Sequence, residues 1–113
     1  MTARNPLLAA PPHAVEQSLR RLGGDLRTAR LRRNWTLDHL AAKIGVGRRT
    51  VADAEHGKPS ASVATYAAML WALNLLNQLD EVAMPERDAE GQALSRSSER
   101  ERARAKAGLS NDF

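Results

Sequence analysis

The stretch KIGVGRRTVADAEHGKPS, residues 43–60, decides the fold. It sets a glycine-containing turn directly before two arginines, and a short helical pattern follows. Gly45 suits the left-handed conformation that ends many helices, because it carries no side chain. Val51 faces the core at helical spacing, whereas Arg48 and Arg49 are expected to point outward from the first turn of the next helix. The stretch therefore predicts two short helices joined by a tight turn.

Composition limits both the size of the fold and the chemistry available to it. With 113 residues, 42% of them hydrophobic, the chain can form one small core. Lysine and arginine number 17 against 13 acidic residues, and the net charge of +4 favours a polyanionic partner, although a solvated basic surface gives the same count. The chain has no cysteine and three scattered histidines, so we expect no disulfide, bound metal or cofactor.

The lengths of the apolar runs indicate where in the cell the protein is located. Pro11 and Pro12 cut an apolar run near the N-terminus far below the length of a signal core. No later run approaches the length of a membrane span. We therefore expect a cytoplasmic protein without a membrane partner.

Periodicity divides the chain into three parts. Residues 1–13 contain three prolines and little pattern, so we expect a flexible arm. Residues 14–84 form the predicted domain, in which Gly23 and Gly24 are expected to end a first helical segment. Five helices then follow, at about 26–33, 36–44, 48–56, 62–74 and 75–83. Residues 85–113 predict a flexible charged tail, whose segment 97–107 has enough helix formers to fold on a partner.

The helices on either side of Gly45 have the layout of a helix-turn-helix. In that motif the second helix lies in the major groove of DNA, while the first crosses the phosphate backbone. Ala41 is small enough to let the two helices approach closely. The predicted fold is therefore a compact all-α bundle, and the predicted activity is DNA binding.

Side chains near the start of the second, reading helix are the main candidates for contacts with DNA. Arg48 and Arg49 can each donate two hydrogen bonds to guanine or clamp a phosphate. Thr50 can bond a phosphate or cap its own turn. Asp53 can accept a hydrogen bond from cytosine or, as we favour, orient Arg49 through an ion pair.

Four further cations are expected to flank the reading helix and bind phosphates, unless they are merely solvated. They are Arg32, Arg33, Lys43 and Lys58. Glu55 lies at the unfavourable end of its helix dipole, so we expect it to pair with Arg30 or Arg27.

Trp35 and Trp71 are expected in the core or in an interface, because they stand among apolar residues at helical spacing. Neither a catalytic triad spacing, nor a carboxylate pair in an apolar setting, nor a phosphate-binding glycine loop is found. We therefore expect no catalytic residues and no enzyme.

Residues 23–58, GGDLRTARLRRNWTLDHLAAKIGVGRRTVADAEHGK, resemble the Xre-type helix-turn-helix proteins. The resemblance is carried by the Arg-rich first helix, the Gly-Val turn, the Arg-Arg-Thr-Val reading helix and the Glu-x-Gly-Lys ending. It implies a bundle of five helices like that of lambda repressor. It also implies base contacts from Arg48, Arg49, Ala52 and Asp53, and phosphate contacts from Thr36 and Leu37.

Two positions depart from the family pattern. Many relatives have Gln where this chain has Leu37, which offers no hydrogen-bonding group. Ser is frequent where this chain has Gly47, so a capping hydroxyl is lost.

Residues 62–94, SVATYAAMLWALNLLNQLDEVAMPERDAEGQAL, resemble the segment that follows this domain in HipB-like antitoxins. That resemblance implies a homodimeric repressor of its own operon and a partner that is a HipA-like serine/threonine kinase toxin. An apolar face at helical spacing is the expected dimer surface. Its members are Leu73, Leu76, Leu79 and Val82.

Two alternatives stay open at this point. In the first alternative to an antitoxin repressor, the bundle is an interaction module that mainly masks a toxin and binds DNA without sequence choice. In the second, it is a phage-type regulator without a toxin. The first predicts weak DNA binding that depends steeply on salt. The second predicts no kinase gene beside this one.

Overall fold

The computed structural model describes the backbone of residues 5–111 and the side chains of residues 5–108. Predictions for residues 1–4 and 112–113, at the ends of the arm and the tail, lie outside the described residues. The chain divides into two compact units, which meet in sequence between Leu79 and Asp80. Across residues 5–111 both units are built from helices and turns, without a strand.

The first unit is a helical bundle. It begins with a single helical turn, α1 (Pro6–Ala9), in the segment predicted as a flexible arm. Four longer helices follow, and a 3-10 helix comes after them. They are α2 (His13–Arg32), α3 (Leu37–Ile44), α4 (Arg48–Glu55), α5 (Val63–Ala72) and the 3-10 helix Leu76–Glu81, whose last two residues fall beyond the boundary between the units. The predicted all-α fold is confirmed, and α2 to α5 with the 3-10 helix stand at the places of the five helices predicted for residues 26–83.

The core of this unit is one cluster of buried side chains from α2 to α5. Its members are Leu26, Leu40, Ala41, Val51, Ala54, Tyr66, Met69, Leu70 and Leu73. Each large aliphatic side chain that is fully buried contributes about 1.5–3 kcal/mol to folding. The Tyr66 hydroxyl donates a hydrogen bond to the Ala54 carbonyl oxygen at 3.2 Å, and burial raises the pKa of this phenol. The core therefore joins α4 to α5 by a polar contact as well as by packing.

The predicted break at Gly23 and Gly24 is wrong, because α2 runs through both glycines. Packing explains Gly23. A Cβ atom at Gly23 would lie 2.5 Å from the carbonyl oxygens of Ala54 and Glu55, a distance that real Cβ atoms do not adopt. The backbone of α2 therefore approaches the last turn of α4 more closely than any side chain at this position allows.

Local contacts end α5 before the 3-10 helix that takes the place of the predicted fifth helix. Asn74 adopts a left-handed φ of 63°, and the Leu75 amide donates back to the Leu70 carbonyl oxygen at 2.8 Å. The Arg33 guanidinium also donates to the Leu73 carbonyl oxygen at 2.9 Å. These contacts end the α-helix at Ala72, before the chain enters the 3-10 helix.

The second unit contains the 3-10 helix Pro85–Arg87 and the long helix α6 (Ala89–Asn111). The Gly91 amide donates to the Asp88 side chain at 2.9 Å, which caps the start of α6. The sequence predicts a flexible tail here, whereas the structure has one continuous helix rich in Arg, Glu and Ala, all good helix formers. Its described side chains beyond Gly91 are all exposed.

Candidate nucleic-acid interface

The turn between α3 and α4 is fixed at both ends. The Thr36 hydroxyl accepts from the His39 amide at 3.0 Å, which caps the start of α3 as predicted. Gly45 ends α3 with a left-handed φ of 74°, also as predicted, and the Val46 amide donates to the Ala41 carbonyl oxygen at 3.0 Å. The direction in which the chain enters α4 is therefore set by local hydrogen bonds.

α4 has two different sides. Val51, Ala54 and Glu55 are buried, so they hold the helix against the bundle. Arg48 and Arg49 are exposed at its first turn, as the sequence predicts. A helix held on one side and cationic on the other has the form required of a reading helix.

Glu55 is the polar anchor of α4. Its carboxylate accepts from the Arg30 Nε atom at 2.7 Å and from Nη2 at 2.9 Å, and both side chains are buried. Arg30 Nη1 donates to the Trp35 carbonyl oxygen at 2.7 Å, and hydrogen bonding to Glu55 raises the pKa of the guanidinium. The prediction that Glu55 pairs with Arg30 or Arg27 is confirmed, with Arg30 as the partner.

A second glycine supports the same end of α4. Gly57 follows the helix with a φ of 70°, in the left-handed region. A Cβ atom there would lie 2.6 Å from the backbone of Arg20 in α2. Together with Gly23, this residue brings the main chains of α2 and of the end of α4 into direct contact.

Asp53 lies between two cations beside the outer side of α4. Its carboxylate is 3.0 Å from Lys58 Nζ and 4.0 Å from Arg49 Nε. The Asp53 side chain is 29% exposed and that of Arg49 is 87% exposed, so each pair is worth about 0–1 kcal/mol to stability. Lys58 is thus the closer partner of Asp53, and the favoured role of Asp53 in orienting Arg49 stays a prediction.

Hydroxyl groups line a groove beside α4 that sequence reasoning missed. Its walls are formed by Thr50, Asp53, Ser60, Ala61, Ser62 and Thr65. The Ser62 hydroxyl accepts from the Thr65 amide at 3.1 Å and so caps α5, whereas no side chain caps α4 at Gly47. The run of Ser and Thr between α4 and α5 was the available signal, because hydroxyls and helix N-termini are common phosphate ligands.

Arg32 and Arg33, two of the predicted phosphate ligands, lie at the end of α2. Arg33 donates to the Ala29 and Leu73 carbonyl oxygens at 2.8 and 2.9 Å, so it connects α2 to the end of α5. The groove next to it is lined by Asp25, Thr28, Ala29, Arg32, Arg33, Leu75 and Gln78, none of which belongs to α3 or α4. Arg33 thus has partners within the bundle, while the phosphate contacts of Arg32 and Arg33 stay a prediction.

The two ends of α3 differ in the groups that are available to bind a phosphate. Leu37 packs against the core, so its predicted phosphate contact is limited to its backbone amide at the helix start. Lys43 stands in the last turn of α3, with its Nζ atom 4.9 Å from the ring centroid of Trp35. The Lys43 side chain is exposed immediately before the turn that leads to α4.

The predicted dimer surface is not a single exposed face. Leu73 is 1% exposed and belongs to the core, because it occupies the C-cap position of α5 against Leu70 and its neighbours. Its assignment to a dimer interface is wrong. Leu79 is partly buried against the same core, whereas Leu76 and Val82 are exposed.

The geometry of α3, its turn and α4 is that of a helix-turn-helix, a motif whose second helix enters the major groove of DNA. The family model described as helix-turn-helix, of the Xre type, matches residues 26–75, which include α3, α4 and α5. No curated protein matches the chain. This similarity supports a DNA-binding transcription regulator, and the matched family is generally not enzymatic.

Neither a membrane-spanning helix nor a cluster of metal-ligating side chains is found in the described part of the chain. Among residues 5–111, no helix combines the length and apolar character that a membrane crossing requires. Within the same residues, His, Asp and Glu side chains do not come together in groups of three or more that suit a metal ion.

Proposed function

We propose that the protein is a sequence-specific repressor that binds operator DNA through α4 and controls its own operon. The observation that carries this proposal is the two-sided character of α4. Its buried side is anchored by Val51, Ala54 and the pair of Glu55 with Arg30, while Arg48 and Arg49 stay exposed. An anchored helix can hold guanidinium groups within hydrogen-bonding reach of base edges.

Each exposed group has a chemical role in this proposal. Arg48 and Arg49 donate two hydrogen bonds each to guanine O6 and N7, and Ala52 lies beside them to contact a thymine methyl group. Asp53 holds Arg49 and Lys58 in position until DNA binds. Phosphates are bound by Lys43, by Lys58 and by the hydroxyl groove that includes Thr50.

The repressor acts as a homodimer on a palindromic operator. Two reading helices about 34 Å apart enter successive major grooves on one side of the duplex. In the first unit, Leu76 and Trp71, which is 60% exposed, remain available to a second copy. A tryptophan side chain with this degree of exposure is typical of an interface.

The test begins with selection of the preferred sequence from a random duplex library. The dissociation constants of the wild type, Arg48→Ala and Arg49→Ala are then measured on that site and on its single-base variants. An arginine that reads guanine supplies about 1–3 kcal/mol of discrimination, so its variant loses about 5- to 150-fold preference at one base pair.

Arg27→Ala is the matched control, because Arg27 is an exposed arginine of α2 outside the proposed surface. Its variant should keep the full base preference. A uniform loss of affinity across all variants with Arg49→Ala would assign Arg49 to a phosphate. Preference unchanged in both α4 variants would reject α4 as the reading helix.

The narrower part of the proposal is that this repressor is the antitoxin of a HipA-like kinase toxin. Its support is the resemblance of residues 62–94 to HipB-like antitoxins. Co-expression with the product of the neighbouring gene tests it directly. A stable complex that lowers kinase activity supports the antitoxin role, whereas a neighbouring gene without a kinase product favours a stand-alone regulator.

A further inference from the structure

A second cationic surface lies on α6, outside the matched helix-turn-helix segment. Arg96, Arg100 and Arg104 are four residues apart along one helix, so they share one face. All three side chains are exposed. Among the described residues none of them takes part in an ion pair. We call these three residues the arginine face.

The three arginines of the arginine face repel one another, and an anionic partner would reduce this repulsion. Like charges four residues apart on a helix repel one another, and the face contains two such neighbouring pairs. Residues 96–106 carry five cations, whereas Glu99 and Glu101 are the two acids among them. The partner of complementary charge is therefore a polyanion.

The length and composition of α6 favour a nucleic acid over a membrane. With a rise of about 1.5 Å per residue, the arginine face extends about 12 Å along the helix. Phosphates of one DNA strand are about 3.4 Å apart along the duplex axis, so this length spans three to four of them. A helix that binds a lipid surface needs a broad apolar side, but Leu94 is the one large apolar residue among the described side chains of α6.

We propose that the arginine face binds the sugar-phosphate backbone of duplex DNA and adds affinity that does not depend on sequence. Guanidinium groups suit this role because their planar donors match phosphate oxygens. The inference rests on the proposed function in one respect, since both require the chain to bind DNA. A second contact on the same chain meets the duplex at a high effective concentration once the first has formed.

The experiment compares two triple variants of the full chain. R96Q/R100Q/R104Q removes the arginine face, and R20Q/R21Q/R27Q makes the same change of net charge on α2. Glutamine has nearly the helix propensity of arginine, so both variants should keep their helix content by circular dichroism. Apparent affinities for the preferred duplex and for an unrelated duplex are measured over a series of salt concentrations.

The logarithm of the affinity falls as the logarithm of the salt concentration rises. Loss of three phosphate contacts should make this fall less steep by about 2.7 on both duplexes, or 0.9 for each contact. The ratio of the two affinities should stay at the wild-type value. The α2 variant should keep a slope close to that of the wild type. Equal slopes for the two variants would overturn the inference.

Two further measurements separate the remaining outcomes. R96K/R100K/R104K should keep the wild-type slope, because lysine also pairs with phosphate, and a slope as low as that of the glutamine variant would overturn the inference.

Vesicles of phosphatidylserine and phosphatidylcholine provide the lipid probe. Loss of vesicle binding without loss of duplex binding in the glutamine variant would instead assign the arginine face to a membrane. A wild type without sequence preference, but with the predicted difference in slope, would reject the proposed repressor and leave this inference standing.

Discussion

Arg30 of α2 and Glu55 of α4 form a buried, two-bonded ion pair, with Nε–Oε2 and Nη2–Oε1 distances of 2.7 and 2.9 Å. The third guanidinium nitrogen donates to the Trp35 carbonyl oxygen. Each buried charge therefore has its partners, and across residues 5–108 no buried side-chain nitrogen or oxygen lacks one. The pair connects the helix that carries the exposed arginines to the longest helix of the bundle.

Removal of one partner should destabilise the first unit strongly. Glu55→Ala leaves the Arg30 guanidinium buried without its counterion, which costs about 3–5 kcal/mol of unfolding free energy. Urea unfolding followed by tryptophan fluorescence measures this cost. The double variant R30M/E55L is the control, because an apolar pair of similar volume should recover most of the stability. A loss below 1 kcal/mol in Glu55→Ala would show that the pair is not a main support of α4.

The two neighbouring glycines of α2 should respond in opposite directions to alanine. Gly23→Ala places a methyl group 2.5 Å from two carbonyl oxygens of α4, so we expect a loss of about 1–3 kcal/mol in unfolding free energy. Gly24→Ala meets no atom within 4 Å and should gain about 0.5–1 kcal/mol, because alanine is the better helix former. Chemical unfolding of both variants provides the comparison. Effects of the same sign would contradict the close approach of α2 to α4.

Asp53 should limit the attraction of α4 for phosphates. Asp53→Asn removes the carboxylate that lies 3.0 Å from Lys58 Nζ, so the freed lysine can bind a phosphate. We expect tighter binding to an unrelated duplex and a steepening of the salt slope by about 0.9. Glu16→Gln makes the same charge change on α2 and should leave both quantities near the wild type. Weaker binding of Asp53→Asn to every duplex would show that Asp53 is needed for contact.

Tyr66 should make the domain less stable in alkali. Burial raises the pKa of its phenol above the ordinary value of 10.0. Above pH 10 the unfolded phenol loses its proton first, so the free energy of unfolding falls as the pH rises through the folded pKa.

Tyr66→Phe tests this pH dependence. Near neutral pH the variant should be less stable by about 0.5–1.5 kcal/mol, because the hydrogen bond to Ala54 is lost. That difference should shrink from pH 10 upward. The chain has a single tyrosine, so the absorbance of tyrosinate also reports the pKa directly. An ordinary pKa together with a constant difference would contradict the burial argument.

Local patterns in the sequence predicted the parts of the fold that depend on neighbouring residues. Thr36 and Ser62 cap their helices, and Gly45 turns the chain, because each acts on amides or dihedral angles within a few residues. The partner of Glu55 was also predictable, since an acid at the end of a helix requires a nearby cation.

Contacts between distant segments account for the errors. The sequence predicts a helix break at Gly23, because a close approach of α2 to α4 leaves no local trace in the sequence. Periodicity places Leu73 on a dimer face, whereas tertiary packing buries it in the core. Which face of a helix turns inward at its last residue depends on tertiary packing, so periodicity alone does not fix it.

The backbone contacts at Gly23 and Gly57 have a consequence for redesign. They fix the separation of α2 and α4 by main-chain atoms, at the end of α4 opposite to Arg48 and Arg49. Residues 48, 49 and 52 can therefore be exchanged without moving the scaffold that holds them. In the proposed repressor, new operator preferences should therefore be obtainable by substitution at these three positions alone.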